Sequence, residues 1–325
     1  MTTEPVLLTG GTGIVGNAIA HALVGRGRHV RALVRSVERA RVLMPRECEL
    51  VPGDVTDRTS VERALAGCRV VYHAAGLPEQ WLPDATTFER VNVGGTRMMI
   101  AAALAAGVER FVYTSTIDVF AWTPGNPFDE STIDPHPKGT TYERSKQAAD
   151  RLVAEAIAAG LPAVFLHPSA VYGPLPAGSP GLNTLIADLA AGRLPMLLPG
   201  TMPVAYAPDV GLGHVLAEAR PVGSRYILSE STWTLVDLAR TVCAATGRGR
   251  VPPVMPSWAA HALATVGELI ARVIRRPPPI PGGQLHFLES GAHPRADRAR
   301  AELGWAPTAF RDALPATLAF VGRPA

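Results

Sequence analysis

The chain has 325 residues, 47% of them hydrophobic and 18% charged, a balance that excludes wholesale disorder and supplies one large core or two moderate ones. Its 31 basic and 28 acidic residues leave a net charge of +3 spread along the chain, which excludes a basic arm for nucleic acid. Cys48, Cys68 and Cys243 are odd in number and far apart, so neither a disulfide framework nor a metal site is expected, only buried thiols in a reducing compartment.

The first residues, MTTEPVLLTGG, lack a basic region and run from apolar residues straight into a glycine loop; no signal peptide is expected and the cytoplasm is the expected location. From there short apolar runs alternate with helical patterns. VLLTGG precedes the helix IVGNAIAHALVGRG, HVRALVR precedes another, and CELVPGD, RVVYHAAG and RFVYTST follow. This alternation predicts βαβ units, and continuous apolar strands predict helices on both faces. The expected fold class is α/β, a doubly wound parallel (Rossmann) sheet with a smaller, interleaved C-terminal domain.

At the first strand's end, TGGTGIVG sets Gly10, Gly13 and Gly16 three residues apart at a helix start. Such a loop turns tightly, lets backbone approach a pyrophosphate and packs helix against strand, with the phosphate held at the helix N-terminus. Thr12 and Ile14 belong to the same candidate cofactor site. The second strand ends in Arg35, where a NAD-binding domain usually offers a carboxylate to the ribose. A guanidinium there suits a 2′-phosphate, so NADP(H) is expected over NAD(H), with NAD(H) as the alternative. Arg31, Arg39 and Arg41 are expected to be solvated surface charges.

GDVTD places Asp54 and Val55 after the third strand, the carboxylate for the adenine amino group and the aliphatic group for the ring. The competing role is helix capping, which Asp57 or Thr59 also serve. The fourth strand ends in Ala74, Ala75 and Gly76, small enough for a cofactor to lie close. The fifth ends in Thr114, Ser115 and Thr116, hydroxyls aimed at the crevice that parallel strands form at their carboxyl ends. Alternation along a strand puts Thr114 and Thr116 on one side and Ser115 on the other. In TTYERSKQAADRLV, Tyr142 and Lys146 lie four residues apart on one helix face. An ammonium beside a phenol is expected to lower its pKa of about 10 toward the neutral range.

After PAVFLHPSAVYGP the alternation loosens, and PMLLPG, VAYAPDVGLGHVLAEA and RYILSES look interleaved between two domains. The expected division is a dinucleotide-binding domain over 1–167 and a mainly substrate-binding domain over 168–325, with part of 195–230 returning to the first. The stretch from Trp258 to Ile274 is interrupted by His261, Glu268 and Arg272 and is too short to span a bilayer. A buried or substrate-lining helix is expected, with peripheral membrane contact as the alternative.

TGGTGIVG, GDVTD, HAAG, the strand ending in TST, YERSK and HPSAVYGP occur in the order seen in the extended short-chain dehydrogenase/reductase family. The chain resembles that family closely over about its first 175 residues, and most resembles its dihydroflavonol-reductase-like, 3β-hydroxysteroid-dehydrogenase-like and 3-oxoalkanoate-reductase-like members. The resemblance implies that Thr116 takes the catalytic Ser/Thr position, Tyr142 is the acid-base residue and Lys146 its partner. It implies that Asn92 fixes sheet-to-helix geometry or supports a proton relay, and that Pro168, Ser169 and Val171 line the nicotinamide amide. The implied activity is NADP(H)-dependent hydride transfer between nicotinamide and a ketone or secondary alcohol of a small, apolar molecule. The alternatives are a sugar-nucleotide epimerase or dehydratase and a non-catalytic NADP(H)-binding sensor; a homodimer is allowed, and neither nucleic acid nor a membrane span is expected.

Overall fold

The structure, a computed structural model, describes residues 4–176, 181–248 and 250–322. The strands are β1 (Val6–Thr9), β2 (Val30–Val34), β3 (Glu49–Pro52), β4 (Val70–His73), β5 (Arg110–Thr114), β6 (Pro127–Phe128), β7 (Ala163–Pro168), β8 (Ala170–Tyr172), β9 (Thr201–Tyr206), β10 (Arg225–Leu228), β11 (Ser231–Thr234) and β12 (His293–Pro294). Seven of them form one sheet in the order β10-β7-β5-β4-β1-β2-β3, every neighbouring pair parallel. The order reverses between β1 and β4, and at such a switch point the loops on either side splay apart and leave a crevice.

The first six helices are α1 (Ile14–Val24), α2 (Val37–Leu43), α3 (Arg58–Leu65), α4 (Thr86–Phe88), α5 (Thr96–Ala106) and α6 (Thr141–Ala158). A π-helical segment, Glu89–Gly95, joins α4 to α5, a widening that helical periodicity alone did not announce. Sequence chemistry sets the start of α6: Thr140 accepts from the Glu143 N–H while Glu143 accepts from the Thr140 N–H, a reciprocal cap. The helices α7 (Gly181–Ala191), α8 (Ala207–Ala217), α9 (Leu235–Ala245), α10 (Ser257–Ile274), α11 (Gly282–Glu289), α12 (Asp297–Leu303) and α13 (Phe310–Val321) complete the chain.

Two cores cover the sheet. On one face Ile19, Leu23, Val210 and Ala217 of α1 and α8 pack on Leu8, Ala32 and Val112. On the other, Val61, Met99, Ala103 and Val153 of α3, α5 and α6 pack on Leu7, Val71 and Phe111. A third core lies under the sheet β11-β9-β8, where Tyr172, Ile186, Val204, Leu238 and Phe310 meet. Although α8 and β10 come late in the chain, they belong to the large sheet's layers. Cys48, Cys68 and Cys243 are all free and buried.

One element departs from its expected environment. Helix α10 rests on the protein through small residues, Ala260, Ala264 and Ala271, and its large apolar side chains face outward: Trp258, Leu263, Val266, Leu269, Ile270, Val273 and Ile274 are 52–83% exposed. Periodicity marks an apolar stripe without saying whether protein covers it, and here the seam against the protein is the small-residue side. Among the described residues no helix is long and apolar enough to cross a membrane.

Candidate active site

The turn after β1 is shaped by backbone contact. Gly10 has φ 76°, and a Cβ there would lie 2.5 Å from the Ala74 carbonyl carbon. A Cβ on Gly16 would collide with the Gly10 carbonyl, whereas one on Gly13 would meet nothing nearer than the Gly10 oxygen at 3.4 Å. Thus two glycines serve packing and the third leaves backbone open beside half-buried Thr12 and Ile14. Gly13 is the N-cap of α1, with no side-chain cap and no acidic residue in the first turn; its leading N–H groups suit an anion.

Beyond β2, Arg35 is exposed, and Ser36 caps α2 by accepting from the Arg39 N–H. Arg31 is no mere solvated charge: it pairs with Glu49 at 2.9 Å and donates to the Ala64 carbonyl. Asp54 and Val55 lie just past the end of β3. Asp54 Oδ1 accepts from the Thr56 N–H and hydroxyl, while Asp57 caps α3. Val55 is buried against Gly95.

Register pairs Thr9 with His73, which sets the glycine turn beside Ala74, Ala75 and Gly76. Thr9 Oγ1 lies 2.7 Å from His73 Nδ1 and accepts from the Ala75 N–H; His73 Nε2 lies 3.1 Å from Thr96 Oγ1. Burial, then the Lys146 charge, pushes the His73 pKa down to about 3, so a neutral ring ties β1, β4 and α5 together. Asn92, in the π-helical segment, accepts from the Leu77 N–H at 2.7 Å and donates to Ser145 Oγ at 2.9 Å. It clamps the segment after Gly76 to α6.

The hydroxyls at the end of β5 take three different partners. The regular strand stops at Thr114, the first residue of the TST run. Thr114 Oγ1 lies 2.9 Å from His214 Nε2 of α8, and Ser115 donates to Asp150 of α6 at 2.6 Å on the opposite face. Thr116 donates to Asp118 Oδ2 at 2.8 Å and caps the 3-10 turn Ile117–Val119. Lys146 is buried and donates to the Thr114 carbonyl at 2.9 Å. Burial lowers its pKa to about 8, although Asp150 and Asp118 pull the other way.

The expected lowering of the Tyr142 pKa is absent. Burial, followed by the Asp118 carboxylate, raises the phenol above its ordinary value, and a Thr116 hydrogen bond opposes them only in part. The physical reason is that the Lys146 ammonium is directed to the Thr114 carbonyl, 5.2 Å from the Tyr113 ring centre. Pro168 ends β7 and Val171 lies in β8. Between them Ser169 is buried, with a hydroxyl that has no partner among the described residues.

Sequence reasoning missed the polar residues beneath the site. Arg225 of β10 pairs with Asp150 at 2.8 Å, reaches His167 Nε2 at 3.3 Å and lies 3.9 Å from the Phe165 ring centre. His167 Nδ1 in turn lies 3.1 Å from the Thr116 carbonyl oxygen. Burial, ahead of mixed charge effects, pushes the His167 pKa down to about 3. Asp118 was also missed; burial and the nearby Glu143 charge push its pKa up to about 6. Its only sequence signal was its place two residues after Thr116.

The parallel sheet and the glycine turn at its switch point define a Rossmann-type α/β protein. Residues 6–226 match the model of the NAD dependent epimerase/dehydratase family, and the chain belongs to that family, among its extended short-chain dehydrogenase/reductase members. It is 31% identical over 98% of both chains to "Sterol demethylase protein B" of Methylococcus capsulatus. It is 32% identical, over 92% of its own length and 91% of the relative's, to a 4-hydroxy-2-methyl-3-oxo-4-farnesyl-3,4-dihydroquinoline-1-oxide ketoreductase of Stigmatella aurantiaca. The solved UDP-glucose 4-epimerase of Thermus thermophilus, in complex with NAD, superposes with a TM-score of 0.76 at 25% identity, covering 98% of this chain and 99% of that one. The chain is thus an NAD(P)-dependent oxidoreductase-type enzyme.

Proposed function

We propose that this enzyme transfers hydride between NADP(H) and a ketone or secondary alcohol of a small, apolar substrate. The observation that carries the proposal is that α6 bears both Tyr142 and Lys146, with Thr116 a hydrogen-bond partner of Tyr142 and Lys146 anchored on the Thr114 carbonyl. When bound, the nicotinamide supplies or receives the hydride. Tyr142 gives its proton to the substrate oxygen in reduction and takes one back in oxidation. The raised phenol pKa keeps that proton in place for reduction. Thr116 orients the oxygen; to donate to a ketone its hydroxyl must turn away from Asp118. Lys146 holds the nicotinamide ribose, and a pKa near 8 lets it accept or return a proton close to neutral pH.

The residues present fit the dinucleotide. Gly10, Thr12, Gly13, Ile14 and Gly16 would take the pyrophosphate at the start of α1, and Asp54 with Val55 the adenine. Ala74, Ala75, Gly76, Asn92 and Thr114 would border the ribose, and Pro168, Ser169 and Val171 the carboxamide, for which the unpartnered Ser169 hydroxyl is suited. In this division residues 1–167 hold the cofactor and 168–325 mainly the substrate, α8 and β10 being returned to the first part. The free, buried cysteines support a reducing, cytoplasmic setting. An apolar substrate is supported by the sterol and farnesyl groups named in two relatives.

A screen of β-keto acids and esters, steroid ketones, flavonoid ketones and sugar nucleotides, followed by NADPH absorbance, tests the reaction. Sustained loss of NADPH in step with a reduced ketone is expected. Turnover of a sugar nucleotide with no net change in NADPH would replace this reading with an epimerase.

Arg35 is exposed at the end of β2, where a 2′-phosphate would sit. Charge-assisted hydrogen bonds of about 1.5–3 kcal/mol correspond to roughly 10–100-fold in affinity. Arg35→Asp is therefore expected to weaken NADPH binding by that factor while leaving NADH binding nearly unchanged. Calorimetric Kd values for both cofactors decide this, and equal affinities in the unaltered enzyme would remove Arg35 from the assignment.

Asp118→Asn separates two effects of one buried charge. The folded pKa of Asp118 is above its unfolded value, so its stabilising contribution is complete below pH ~4 and is lost as pH rises through about 6. The variant is expected to gain stability over the unaltered enzyme at pH 8 but not at pH 4. Because the Asp118 charge holds the Tyr142 pKa up, the variant's alcohol-oxidation profile should also shift toward lower pH. Melting curves at the two pH values and kcat/KM profiles check both; a melting difference independent of pH contradicts the first.

A further inference from the structure

We propose that α10 is a docking surface for anionic lipid bilayers. Its seven exposed large apolar side chains fall within an arc of about 160° at 3.6 residues per turn. Only Ala259 and Ala262 share that arc, so no charged or hydrogen-bonding side chain except the amphipathic indole of Trp258 interrupts it. The face runs along 18 residues, a length of about 27 Å. A contiguous apolar surface of this size marks an interaction site, and a helix lying in the bilayer interface requires this shape.

Charge selects the partner. Arg272 in the last turn, then Arg275 and Arg276, give the C-terminal end of the helix three exposed guanidinium groups. None of the three forms an ion pair among the described residues. Glu268, the helix's carboxylate, is turned inward and accepts from the Gly282 N–H. Arg275 stands at φ 54°, the only positive value at a non-glycine residue among those described, where glycine is the less strained choice. A second copy laid antiparallel on this face would bring no carboxylate from α10 to meet those arginines. Lipid phosphates supply that charge, each nearby arginine contributing roughly fivefold in partition.

The placement also bears on access to the site. The Asp84 carboxyl, in the loop after Gly76, is held low first by its Thr86 hydrogen bonds and, least, by the Arg275 charge, and the Glu79 charge of the same loop adds to the raised pKa of Tyr142. The charge at the arginine end of α10 is therefore felt in the loop that follows Gly76. Docking there would bring the crevice toward the phase in which apolar molecules dissolve, but the proposal stands on the surface alone and does not depend on the reaction.

Flotation of the full chain with phosphatidylcholine vesicles, with and without one-third phosphatidylglycerol, tests it. Binding to the anionic vesicles at least ~10-fold stronger than to the neutral ones is expected, since three arginines contribute roughly fivefold each at most. Leu269→Glu with Val273→Glu should abolish it without changing the melting temperature or NADPH affinity, because both side chains are exposed. Arg272→Gln, Arg275→Gln and Arg276→Gln together should abolish the preference for anionic lipid. Trp258→Phe should remove any vesicle-induced blue shift of fluorescence. Failure of the unaltered protein to float with either vesicle overturns the proposal, as does equal binding to both. A concentration-dependent dimer in sedimentation velocity, split by the glutamate pair and indifferent to vesicles, would assign the face to self-association instead.

Discussion

Tyr142→Phe is expected to lower turnover by at least the ~10²-fold that general acid-base catalysis contributes, with NADPH affinity kept within about twofold, because phenylalanine retains the ring and loses only the hydroxyl. The phenol sits under burial and the Asp118 charge, with Thr116 as a hydrogen-bond partner, and the Thr116 hydroxyl, already assigned to orienting the oxygen, is not expected to replace its proton. Lys146→Met should reduce both turnover and cofactor affinity, since it removes the proposed ribose contact along with a charge. Stopped-flow hydride transfer and fluorescence titration separate the two quantities. Near-normal turnover in Tyr142→Phe would dismiss the proposed acid and move attention to Asp118.

The other large effect is on stability. Arg225→Met is expected to cost about 3–5 kcal/mol, the penalty for leaving one member of a buried ion pair without its partner. Asp150 is 3% exposed; burial works to raise its pKa, but His167, then Arg225 and the Ser115 hydroxyl, hold it below the usual value. That lowered pKa stabilises the fold above pH ~4, and the contribution is lost as pH falls through the folded value. In the variant the carboxylate loses its counter-charge, so the deficit should be largest near neutral pH and shrink in acid, where Asp150 protonates. Urea unfolding of Arg225→Met, Asp150→Asn and the double variant gives the coupling. Additive effects in the double variant would show that the pair does not act as a unit.

The sequence carried most of the large sheet. Each strand from β1 to β5 is a short apolar run closed by a turn residue, and local pattern suffices to find such elements. The placing of Tyr142 and Lys146 on one helix and of the glycine turn at a helix start was legible because spacing within one helix or one loop is itself the signal. What stayed hidden was contact across sequence distance: Asp150 with Arg225, Thr114 with His214, and Thr9 with His73 are polar partners that only the stacking of distant strands and helices brings together. The direction of the Tyr142 shift was hidden for the same reason, since Asp118 approaches it from another element. For α10 the periodicity was right and the environment reversed, because alanines at the seam read as filler beside leucine and valine.

The C-terminal third is laced into the first half of the chain. β12 pairs with β6 through His293 with Pro127 and Pro294 with Phe128. Trp122 donates to the Ser290 carbonyl, Tyr226 donates to Glu302, and the edge of the large sheet closes only with β10. During synthesis the nascent sheet would therefore keep an open edge beside β7 until Arg225–Leu228 emerges, and its tie through Pro127–Phe128 would wait for His293. Long-range parallel pairing of this kind is slow to form and leaves apolar surface uncovered meanwhile. The two parts of the chain should accordingly unfold in one transition, and chains interrupted before residue 293 should depend on chaperones rather than persist as an independent unit.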